Sequence, residues 1–380
     1  MKRVAVLGGG PAGAFAAARL ASAGISTMLL DEKLAWEKPC GGGLTWKAWS
    51  QYPFLMDNAT PRKSVRRTYL TCGPKASATL DLTEPLLIYS RFDLNNMLLR
   101  RAEAAGAAIE KARVTGLERR GAGWRVRTKT GSIDAEHCIV ATGGRNGLRD
   151  VGTQWTQADT LTALGYFIPA EQDHVDLHFF PGFEGYIWIF PRQGHLSAGI
   201  AGKGKPATEM RALLDRYLAD KGISSRGATY YGHMIPSLDQ PSWRPNRVAG
   251  EGWLAVGDSA GLVDPVTGEG LYYAMRSGDL AADAILADSG NAASVYRDVL
   301  WSEFGADLET GARLAKRLFL GNFFFAGVST RMIQFLRRSP TILQVVQDLF
   351  AGTQSYLDLK SRLMQNRGRV LREIALGHSD

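Results

Sequence analysis

The first thirty residues place a glycine-rich turn and an alanine-rich segment between two apolar runs. The stretch 3–31 reads RVAVLGGGPAGAFAAARLASAGISTMLLD. Its apolar positions at 4–7 and 26–31 predict two buried strands. The alanine-rich positions 14–23 predict a helix that Gly24 ends as a C-cap. The pattern therefore predicts a strand–turn–helix–strand unit.

Two later segments also predict strands that run into turns. CIVATGG at 138–144 predicts a strand followed by a glycine turn. GWLAVGDSAGLVDPVTGEGLYYAMRSGDLAAD at 252–283 predicts a strand, an acidic turn, a loop rich in glycine and proline, and a helix.

Apolar and polar residues alternate in three other stretches, which predicts strands with one buried face. These are TYLTCGPKASATLDL at 68–82, DHVDLHFF at 173–180 and YIWIFPRQGHLSAGI at 186–200.

Residues 296–380 show a mainly helical pattern. Within them, residues 318–330 carry no charge and are bracketed by Arg317 and Arg331. This run is too short to span a bilayer. It is expected either to rest on an anionic membrane surface or to form a core helix, and its three consecutive phenylalanines also suit a lipid tunnel wall.

Composition changes the picture through charge. The net charge of +8 and the pI near 9.4 favour an acidic protein or an anionic membrane surface as partner. Nucleic acid is not expected as a partner, because no basic run with interleaved aromatics is present. Peripheral membrane contact is a second expectation from the same charge.

The cysteines and histidines exclude two kinds of site. Cys40, Cys72 and Cys138 are scattered and odd in number, which predicts a reducing compartment, and hence a cytoplasmic location, rather than a disulfide framework. No secretory signal is expected, because apolar strand residues begin at position 4. His174 and His178 form an H-x₃-H pair in a strand-like stretch without a cysteine, so no metal site is predicted.

The first turn carries the signature of a dinucleotide site. Gly8, Gly10 and Gly13 fit G-x-G-x-x-G between a strand and a helix, and Asp31 follows eighteen residues after Gly13. Bare backbone at a helix N-terminus suits a pyrophosphate, and the acid suits the ribose hydroxyls. The alternative is that this strand–turn–helix–strand unit is only structural and binds no dinucleotide.

The segment 252–283 favours FAD as the dinucleotide. Its loop-to-helix junction can aim N–H groups at the pyrimidine edge of a flavin and stabilise negative charge on the reduced ring. Asp258 is expected to hold a ribityl or pyrophosphate-side hydroxyl. An ordinary helix N-cap is the alternative role for Asp258.

Together these segments resemble the FAD-binding fold of the aromatic hydroxylase and geranylgeranyl reductase superfamily. Two further motifs resemble those of geranylgeranyl reductases. KPCGGGL at 38–44 is similar to P-x-C-G-G-G, and YIWIFPRQGHLSAGIAG at 186–202 is similar to Y-x-W-x-F-P followed by an altered G-x-G. YSRFDLNNMLLRRAEAAGA at 89–107 resembles the R-x-x-F/L-D-x-x-L helix of the superfamily. FAGTQSYLDLKSRL at 350–363 resembles the ending of several prenyl reductases.

The resemblance implies an α/β fold with a Rossmann-type FAD-binding domain, an inserted β-rich substrate domain and a C-terminal helical region. The expected FAD-binding domain is discontinuous and comprises 1–60, 87–155 and 246–295. The substrate domain is expected at 61–86 and 156–245, and the helical region at 296–380.

The resemblance also implies a set of residues that contact FAD. They come from the first turn, the glycine loop after Cys40, the helix at Arg91 and the loop before residue 271. The expected set is Gly8, Gly10, Pro11, Ala12, Gly13, Asp31, Glu32, Cys40, Gly41, Gly42, Gly43, Arg91, Val114, Asp258, Gly268, Gly270 and Leu271.

The activity that the resemblance implies is FAD-dependent reduction of a carbon–carbon double bond in an isoprenoid, geranylgeranyl-type chain. Flavin N5 would supply the hydride, and the protein or water the proton. Tyr186, Trp188 and Phe190 are expected to line the lipid pocket. Cys40, Tyr186 and Tyr272 are the candidates for supplying the proton or holding a donor water.

Two other classes of flavoprotein remain open from the sequence. One is a monooxygenase or halogenase, in which reduced flavin meets O₂. No lysine stands out as a halogenase lysine, and Lys75 is the position left open. The other is a flavin electron-transfer protein. Flavin halogenases carry W-x-W-x-I-P where this chain has Tyr186, Trp188 and Phe190.

The stretch ATGGRNGLR suggests the reductant. It has Thr142 where hydroxylases of the superfamily carry an acid linked to NADPH, and no second G-x-G-x-x-G follows in a strand–helix context. We therefore expect slow reduction by NADPH and faster reduction by a small, acidic, ferredoxin-like electron carrier.

The loop of Gly41, Gly42 and Gly43 is expected to lie along the flavin, next to Cys40. Side chains larger than hydrogen at these positions are expected to crowd the isoalloxazine. Cys40 is expected either to take part in the chemistry or to serve as a small packing residue. Trp36, Trp46 and Trp49 are expected either to wall the pocket or to pack in the ordinary amphipathic way.

Overall fold

A computed structural model of the chain describes residues 3–73, 76–148, 150–287, 290–323 and 326–376. The chain divides into two compact units, each built from three segments. Unit 1 comprises Met1–Lys38, Arg91–Thr160 and Ile235–Glu309, and unit 2 comprises Pro39–Ser90, Leu161–Met234 and Thr310–Asp380. The units are defined by packing, whereas the predicted domains carry functional assignments, so the predicted domain ranges stay a prediction.

The strands are numbered in chain order. They are β1 (Arg3–Leu7), β2 (Ser26–Asp31), β3 (Gly43–Leu44), β4 (Arg62–Cys72), β5 (Ala76–Tyr89), β6 (Ala108–Lys111), β7 (Val114–Arg120), β8 (Gly123–Thr128), β9 (Ser132–Ala135), β10 (His137–Val140), β11 (Thr160–Ile168), β12 (Val175–Phe179), β13 (Gly185–Arg192), β14 (His195–Gly202), β15 (Thr229–Pro236), β16 (Ala249–Gly250), β17 (Trp253–Ala255), β18 (Asn322–Phe323) and β19 (Ala326–Gly327).

The helices are numbered in the same way. They are α1 (Pro11–Ser22), α2 (Trp46–Gln51), α3 (Arg91–Ala104), α4 (Ala207–Asp220), α5 (Gln240–Trp243), α6 (Leu271–Ala287), α7 (Ala292–Leu300), α8 (Ala306–Leu320), α9 (Val328–Leu336), α10 (Pro340–Ala351), α11 (Tyr356–Gln365) and α12 (Arg367–Leu376). A short 3-10 helix at Gly257–Ala260 follows β17.

The main sheet of unit 1 has the strand order β16-β17-β10-β1-β2-β6. Its pairs are parallel except for β16 with β17. Residues 4–7 of β1 are fully buried, as expected for a central parallel strand that is covered on both faces. The predicted Rossmann-type α/β fold is confirmed, as is the predicted strand–turn–helix–strand unit at the start of the chain.

A three-stranded sheet of unit 1 was not predicted. It has the order β7-β8-β9 and is antiparallel. Almost all of its residues are exposed or half-buried. Cross-strand ion pairs such as Arg125 with Asp134, at 2.8 Å, lie on its surface. The sequence lacks a clear apolar alternation here, because neither face of this sheet is deeply buried.

The large sheet of unit 2 has the order β15-β11-β14-β13-β12-β4-β5-β3. The three stretches with alternating residues form β4 and β5, β12, and the hairpin of β13 and β14, so these strand predictions are confirmed. The core of unit 2 includes α4, which was not predicted within the β-rich region. Met210 and Leu214 of α4 belong to the same buried cluster as Ile187 and Ile200 of the sheet.

The C-terminal region is mainly helical, as predicted. The uncharged run 318–330, however, is not one helix. Helix α8 ends at Leu320, the pair β18 and β19 follows, and α9 begins at Val328. A side chain at Gly321 would overlap the carbonyl oxygen of Arg317. The alternative of a single core helix is therefore wrong. Among the described helices, none combines the length and the apolar character that crossing a bilayer would need.

Candidate functional site

The turn after β1 brings three pieces of backbone close together in unit 1. Gly8 has a φ of 121°, and a Cβ at this position would overlap the carbonyl oxygen of Ala141. A Cβ at Gly13 would overlap the carbonyl oxygen of Gly8. Glycine is required at both positions, because β1, β10 and the first turn of α1 meet here.

Gly10 differs from these two glycines, because its surroundings are open. It occupies the N-cap position of α1 with extended backbone, and Pro11 follows at the first helical position. No side chain in the part of the chain that the structure describes caps this helix. A Cβ at Gly10 would meet no heavy atom of the described residues within 4 Å. Uncapped N–H groups, the helix dipole and free space together form a cradle for an anion such as a pyrophosphate.

Asp31 lies at the end of β2 and contacts the same turn. One carboxylate oxygen accepts the N–H of Gly9 at 2.7 Å, and the other accepts the N–H groups of Lys33 and Leu34 at 2.7 and 2.6 Å. A carboxylate accepts about four hydrogen bonds, so ribose hydroxyls can still be bound. Glu32 is an exposed partner of Arg113, at 3.6 Å.

Arg91 begins α3 and is buried, with 4% of its surface exposed. Its Nη2 donates to Oδ1 of Asn95 at 3.2 Å, whereas its buried Nε–H has no hydrogen-bond partner among the described residues. The carboxylate of Glu37 accepts the N–H groups of Arg91 and Phe92 at 3.0 and 3.3 Å. A buried cationic donor without a partner costs free energy, and an anionic ligand would remove that cost.

Asp258 lies inside the turn Gly257–Ala260. Its Oδ2 accepts Nζ of Lys38 at 3.0 Å, and the two side chains are 20% and 19% exposed. The N-cap position of this short turn belongs to Val256, and the alternative that Asp258 caps the helix that follows stays a prediction. Asp258 is therefore a partly buried carboxylate beside a cation, at the carboxyl end of β17.

The loop between this turn and α6 is held by Asp264, which sequence reasoning did not single out. Its Oδ1 accepts the N–H groups of Val266 and Thr267 at 2.8 and 2.9 Å. Gly268 takes a φ of 73°, and Gly270 precedes α6, which begins at Leu271. Val114 is the first residue of β7 and is half-buried.

The glycine loop after Cys40 packs within unit 2. Ideal Cβ atoms at Gly41 and Gly43 would lie 3.1 and 3.0 Å from the ring of Phe190. Gly42 has a φ of 82°, and its Cβ would overlap the carbonyl oxygen of Tyr89. Contacts inside unit 2 thus require glycine at position 42 and leave little room at positions 41 and 43, and the predicted crowding of the isoalloxazine stays a prediction.

A buried polar cluster lies behind Cys40. Arg192 is fully buried, and its guanidinium donates from Nη2 to the carbonyl of Cys40 and from Nε to the carbonyl of Gly41, the latter at 3.3 Å. The hydroxyl of Ser197 donates to the same Cys40 carbonyl at 2.8 Å and lies 3.3 Å from the hydroxyl of Tyr231. None of Arg192, Ser197 and Tyr231 was predicted.

The predicted pocket residues lie on one face of β13. Tyr186, Trp188 and Phe190 alternate along the strand, and Trp188 packs on Gly199 of β14, where a Cβ would overlap its ring. Phe190 contacts the glycine loop. Tyr186 is four residues away, about 13 Å of strand length, and packs against Phe179 with ring centroids 5.7 Å apart.

Tyr272, the remaining catalytic candidate, belongs to unit 1. It is 3% exposed, and burial, followed by the charge of Glu303, raises the pKa of its phenol to about 12. The phenol therefore keeps its proton at neutral pH. Lys75, the halogenase candidate, lies outside the described residues.

A family model described as "Pyridine nucleotide-disulphide oxidoreductase" matches residues 2–163. The chloroplastic geranylgeranyl diphosphate reductase of Oryza sativa is 30% identical over 328 residues, which cover 76% of this chain and 67% of that protein. A menaquinone reductase of Mycobacterium tuberculosis is 28% identical, covering 84% of this chain and 85% of that protein.

A solved structure shares the fold. A geranylgeranyl bacteriochlorophyll reductase-like protein of Thermoplasma acidophilum aligns with a TM-score of 0.77 and 21% identity, over 96% of this chain and 99% of that one. The family match and the reductase relatives define an FAD-dependent oxidoreductase, and the fold agrees with that class. More particularly, the chain belongs to the geranylgeranyl reductase family.

FAD is the cofactor of this class, and unit 1 contains groups that fit it. The open cradle at Gly10 and the unpartnered Nε–H of Arg91 suit the pyrophosphate, and Asp31 suits a ribose. Motifs in the sequence predicted these positions, because glycines and acids at fixed spacing can be recognised without a structure. Lys38 and Arg192 border motifs that were recognised, but nothing in the sequence distinguished them from surface charges.

Proposed function

We propose that this protein is an FAD-dependent reductase of carbon–carbon double bonds in an isoprenoid chain. One observation carries the proposal. The Cys40–Gly43 loop packs directly on Phe190 of the aromatic strand β13, so the two motifs that resemble geranylgeranyl reductases form one cluster in unit 2. The names of relatives at 26–30% identity support the same substrate class.

Residues of unit 1 would hold the cofactor. The N-terminus of α1 and Arg91 provide N–H donors for the pyrophosphate, and Asp31 and Asp258 provide acceptors for hydroxyls. Reduced FAD, when bound, supplies a hydride from N5. The remaining tasks fall to the chain, which must orient the alkene, exclude water and deliver a proton.

The aromatic face of β13 suits an apolar chain. Trp188 is buried, and Tyr186 and Phe190 are half-buried on the same face. Aromatic rings provide large apolar area with few rotatable bonds, which suits a methyl-branched alkene. Tyr186 lies near Phe179, farther from Cys40 than Phe190 does. It would therefore contact a more distant part of the isoprenoid.

The proton is the demanding part of the reaction, because an isolated alkene is electron-rich. The thiol of Cys40 is half-exposed and accepts the N–H of Gly42 at 3.3 Å. Tyr186 is half-buried, whereas Tyr272 is deeply buried in unit 1. Of the three candidates, the position of Cys40 at the loop surface suits proton delivery best.

The function can be tested in one anaerobic experiment. The purified protein is reduced with dithionite, excess reductant is removed, and geranylgeranyl lipids are added. We expect reoxidation of the flavin together with a gain of 2 Da per reduced double bond, by hydride plus proton. Flavin that reoxidises only after O₂ is admitted, with oxygen or halogen in the product, would replace the proposal with the monooxygenase or halogenase class. Reoxidation only by electron acceptors would leave an electron-transfer protein.

We further propose a small acidic electron carrier as the reductant. Thr142 donates to Oδ1 of Asn146 at 3.1 Å, so the position that carries an acid in hydroxylases holds a neutral side chain here. Stopped-flow flavin reduction by NADPH and by reduced ferredoxin is compared across a salt series. A ferredoxin rate that falls with salt supports steering by the +8 charge. Fast reduction by NADPH that does not change with salt would contradict it.

Peripheral membrane contact is a separate proposal, which rests on the basic residues beside the run 318–330. Arg337 and Arg338 are exposed, whereas Arg331 is half-buried. Co-sedimentation with anionic vesicles is therefore best tested with Arg337→Gln and Arg338→Gln together, which we expect to reduce binding. Equal binding by this variant would contradict the proposal.

A further inference from the structure

We propose that Arg192 is the positioning residue for Cys40, and that Ser197 is its second support. The geometry points to a single function for the buried cluster behind the glycine loop. It fixes the peptide that follows Cys40, and thereby the direction in which the Cys40 side chain leaves the loop. The catalytic consequence of this inference rests on the proposed function, whereas the positioning itself does not.

The carbonyl oxygen of Cys40 accepts two hydrogen bonds from the cluster. A carbonyl has two lone pairs, and the oxygen of Cys40 receives one donor from Nη2 of Arg192 and one from Oγ of Ser197. The next carbonyl, of Gly41, accepts Nε of Arg192 at 3.3 Å. Two consecutive peptides of the loop are therefore held by one guanidinium.

Arg192 is a charged hydrogen-bond donor. Arg192 is fully buried, and burial lowers the pKa of its guanidinium to about 10, so it keeps its charge at neutral pH. Hydrogen bonds from a charged donor are stronger than neutral ones, and the planar fork of arginine presents two N–H groups with fixed geometry. Lysine has the charge but not the fork.

Phe190 and Tyr89 border the other side of the loop. The rings and backbone that border it leave little room, because Phe190 packs on Gly41 and Gly43. Tyr89 donates its N–H to the carbonyl of Gly42 at 3.0 Å. With both sides fixed, the N–H of Gly42 lies 3.3 Å from the sulfur of Cys40 and directs the thiol.

Glycine residues alone would leave this loop mobile, because they lose the most conformational freedom on folding. A loop of three glycines that must present one thiol in one direction therefore needs external support. The sequence places that support on the strand that carries the aromatic residues, two positions after Phe190.

The chain contains a built-in reporter for this positioning. Cys40 is half-exposed, whereas Cys72 and Cys138 are 2% and 0% exposed. Burial also raises the pKa of the Cys138 thiol to about 12, which disfavours the reactive thiolate. Iodoacetamide should therefore label Cys40 selectively, and the rate of labelling reports how the thiol is held.

The test compares alkylation rates, measured by peptide mass spectrometry on the flavin-loaded protein. Arg192→Lys should be alkylated at least about fivefold faster, since the fork that holds the loop is lost. Ser197→Ala should show an increase of about twofold, because one of two donors remains. Tyr231→Phe should change the rate no more than Ser197→Ala does. Arg66→Lys, an exposed arginine of the same unit, serves as the matched control and should leave the rate unchanged.

Steady-state kinetics provide the catalytic readout. With an isoprenoid substrate, Arg192→Lys should lower kcat at least about tenfold while KM changes less than about threefold, because a misdirected thiol affects the reacting geometry more than binding. Thermal melts show whether each variant is folded. Wild-type alkylation and wild-type kcat in a folded Arg192→Lys protein would overturn the proposal.

Two complications are handled by the same set of variants. If Arg192→Lys does not fold, Ser197→Ala decides, and an unchanged alkylation rate there overturns the inference. If the wild-type protein reduces no isoprenoid, the proposed function fails, while the alkylation series still confirms or overturns the positioning role.

Discussion

The ammonium of Lys38 lies 3.0 Å from the carboxylate of Asp258, and both side chains are only about one-fifth exposed. Lys38 also comes within 4.0 Å of where a Cβ on Gly143 would sit, so it reaches the glycine turn after β10. One cation thus lies beside two segments that the sequence assigned to the cofactor. A positive charge there favours the doubly charged pyrophosphate of FAD.

Lys38→Gln should therefore weaken FAD binding about tenfold, or about 1.4 kcal/mol. The loss should shrink as salt is raised, because screening weakens the contribution of the charge. The dissociation constant is measured from the fluorescence of released FAD. Lys33→Gln removes the same charge from an exposed position five residues earlier and should leave the affinity within about twofold. Equal weakening by both variants would show that only net charge matters.

Arg91→Met should also weaken FAD binding, by about tenfold or more, since a buried donor that awaits an anion is removed. The variant protein without FAD should be about as stable as the wild type, because removal of the unpartnered Nε–H offsets the lost hydrogen bond to Asn95. Arg101→Met, on the same helix but exposed, is the control. Loss of stability without loss of affinity would assign Arg91 a structural role instead.

Cys40→Ser should retain FAD and lose most turnover with an isoprenoid alkene, if the thiol delivers or relays the proton. Serine preserves size and hydrogen bonding but not thiol acidity. The ratio of flavin to protein and the single-turnover rate are both measured. Unchanged turnover would return Cys40 to a packing role, and loss of flavin would show that the loop itself holds the cofactor.

Gly42→Ala should destabilise the protein by about 2 kcal/mol or more, since left-handed backbone and overlap with the Tyr89 carbonyl combine. Gly194→Ala is the matched control. It has a φ of 77°, but a Cβ there meets no described heavy atom within 4 Å. The control should cost only about 1 kcal/mol. Urea unfolding at pH 7 measures both, and equal losses would contradict the predicted overlap.

His178 should make stability fall in mild acid. Burial, followed by the charge of Lys221, lowers its pKa from 6.5 to about 4. The unfolded state then binds the proton more readily than the folded state, so stability is full above pH 6.5 and is lost between pH 6.5 and 4. The loss between pH 7 and pH 5 should be about 2 kcal/mol. His178→Leu should flatten this dependence, and urea unfolding at the two pH values measures it. An unchanged pH dependence in the variant would assign the effect to other groups, such as His195, whose pKa burial also lowers.

The sequence was most informative where backbone geometry restricts residue choice. Gly8 and Gly13 can be recognised without a structure, because only glycine allows such close approach of the chain to itself. The strand–turn–helix–strand unit followed from the patterns around them, whereas the fold class followed from the resemblance to a known superfamily. Asp31 was recognised through its distance from the turn, and it does contact Gly9.

The same reasoning failed where function depends on long-range contacts. Arg192 is 152 residues from Cys40, and no local pattern connects them. Lys38 and Asp258 are 220 residues apart. The glycines at 41 and 43 were predicted to border the flavin, which stays a prediction, and the neighbour that the structure places beside them is Phe190. The break at Gly321 was missed because an uncharged run conceals where a helix ends.

Trp188 and Gly199 occupy one shared volume across the hairpin of β13 and β14, and Phe183 and Gly202 do the same nearby. Neither member of such a pair is free to vary alone: a larger residue at 199 requires a smaller ring at 188. We expect these positions to change together among relatives of the chain. Attempts to reshape the aromatic face for a different substrate should therefore exchange both partners at once, since the glycine sets the largest ring that the strand can carry.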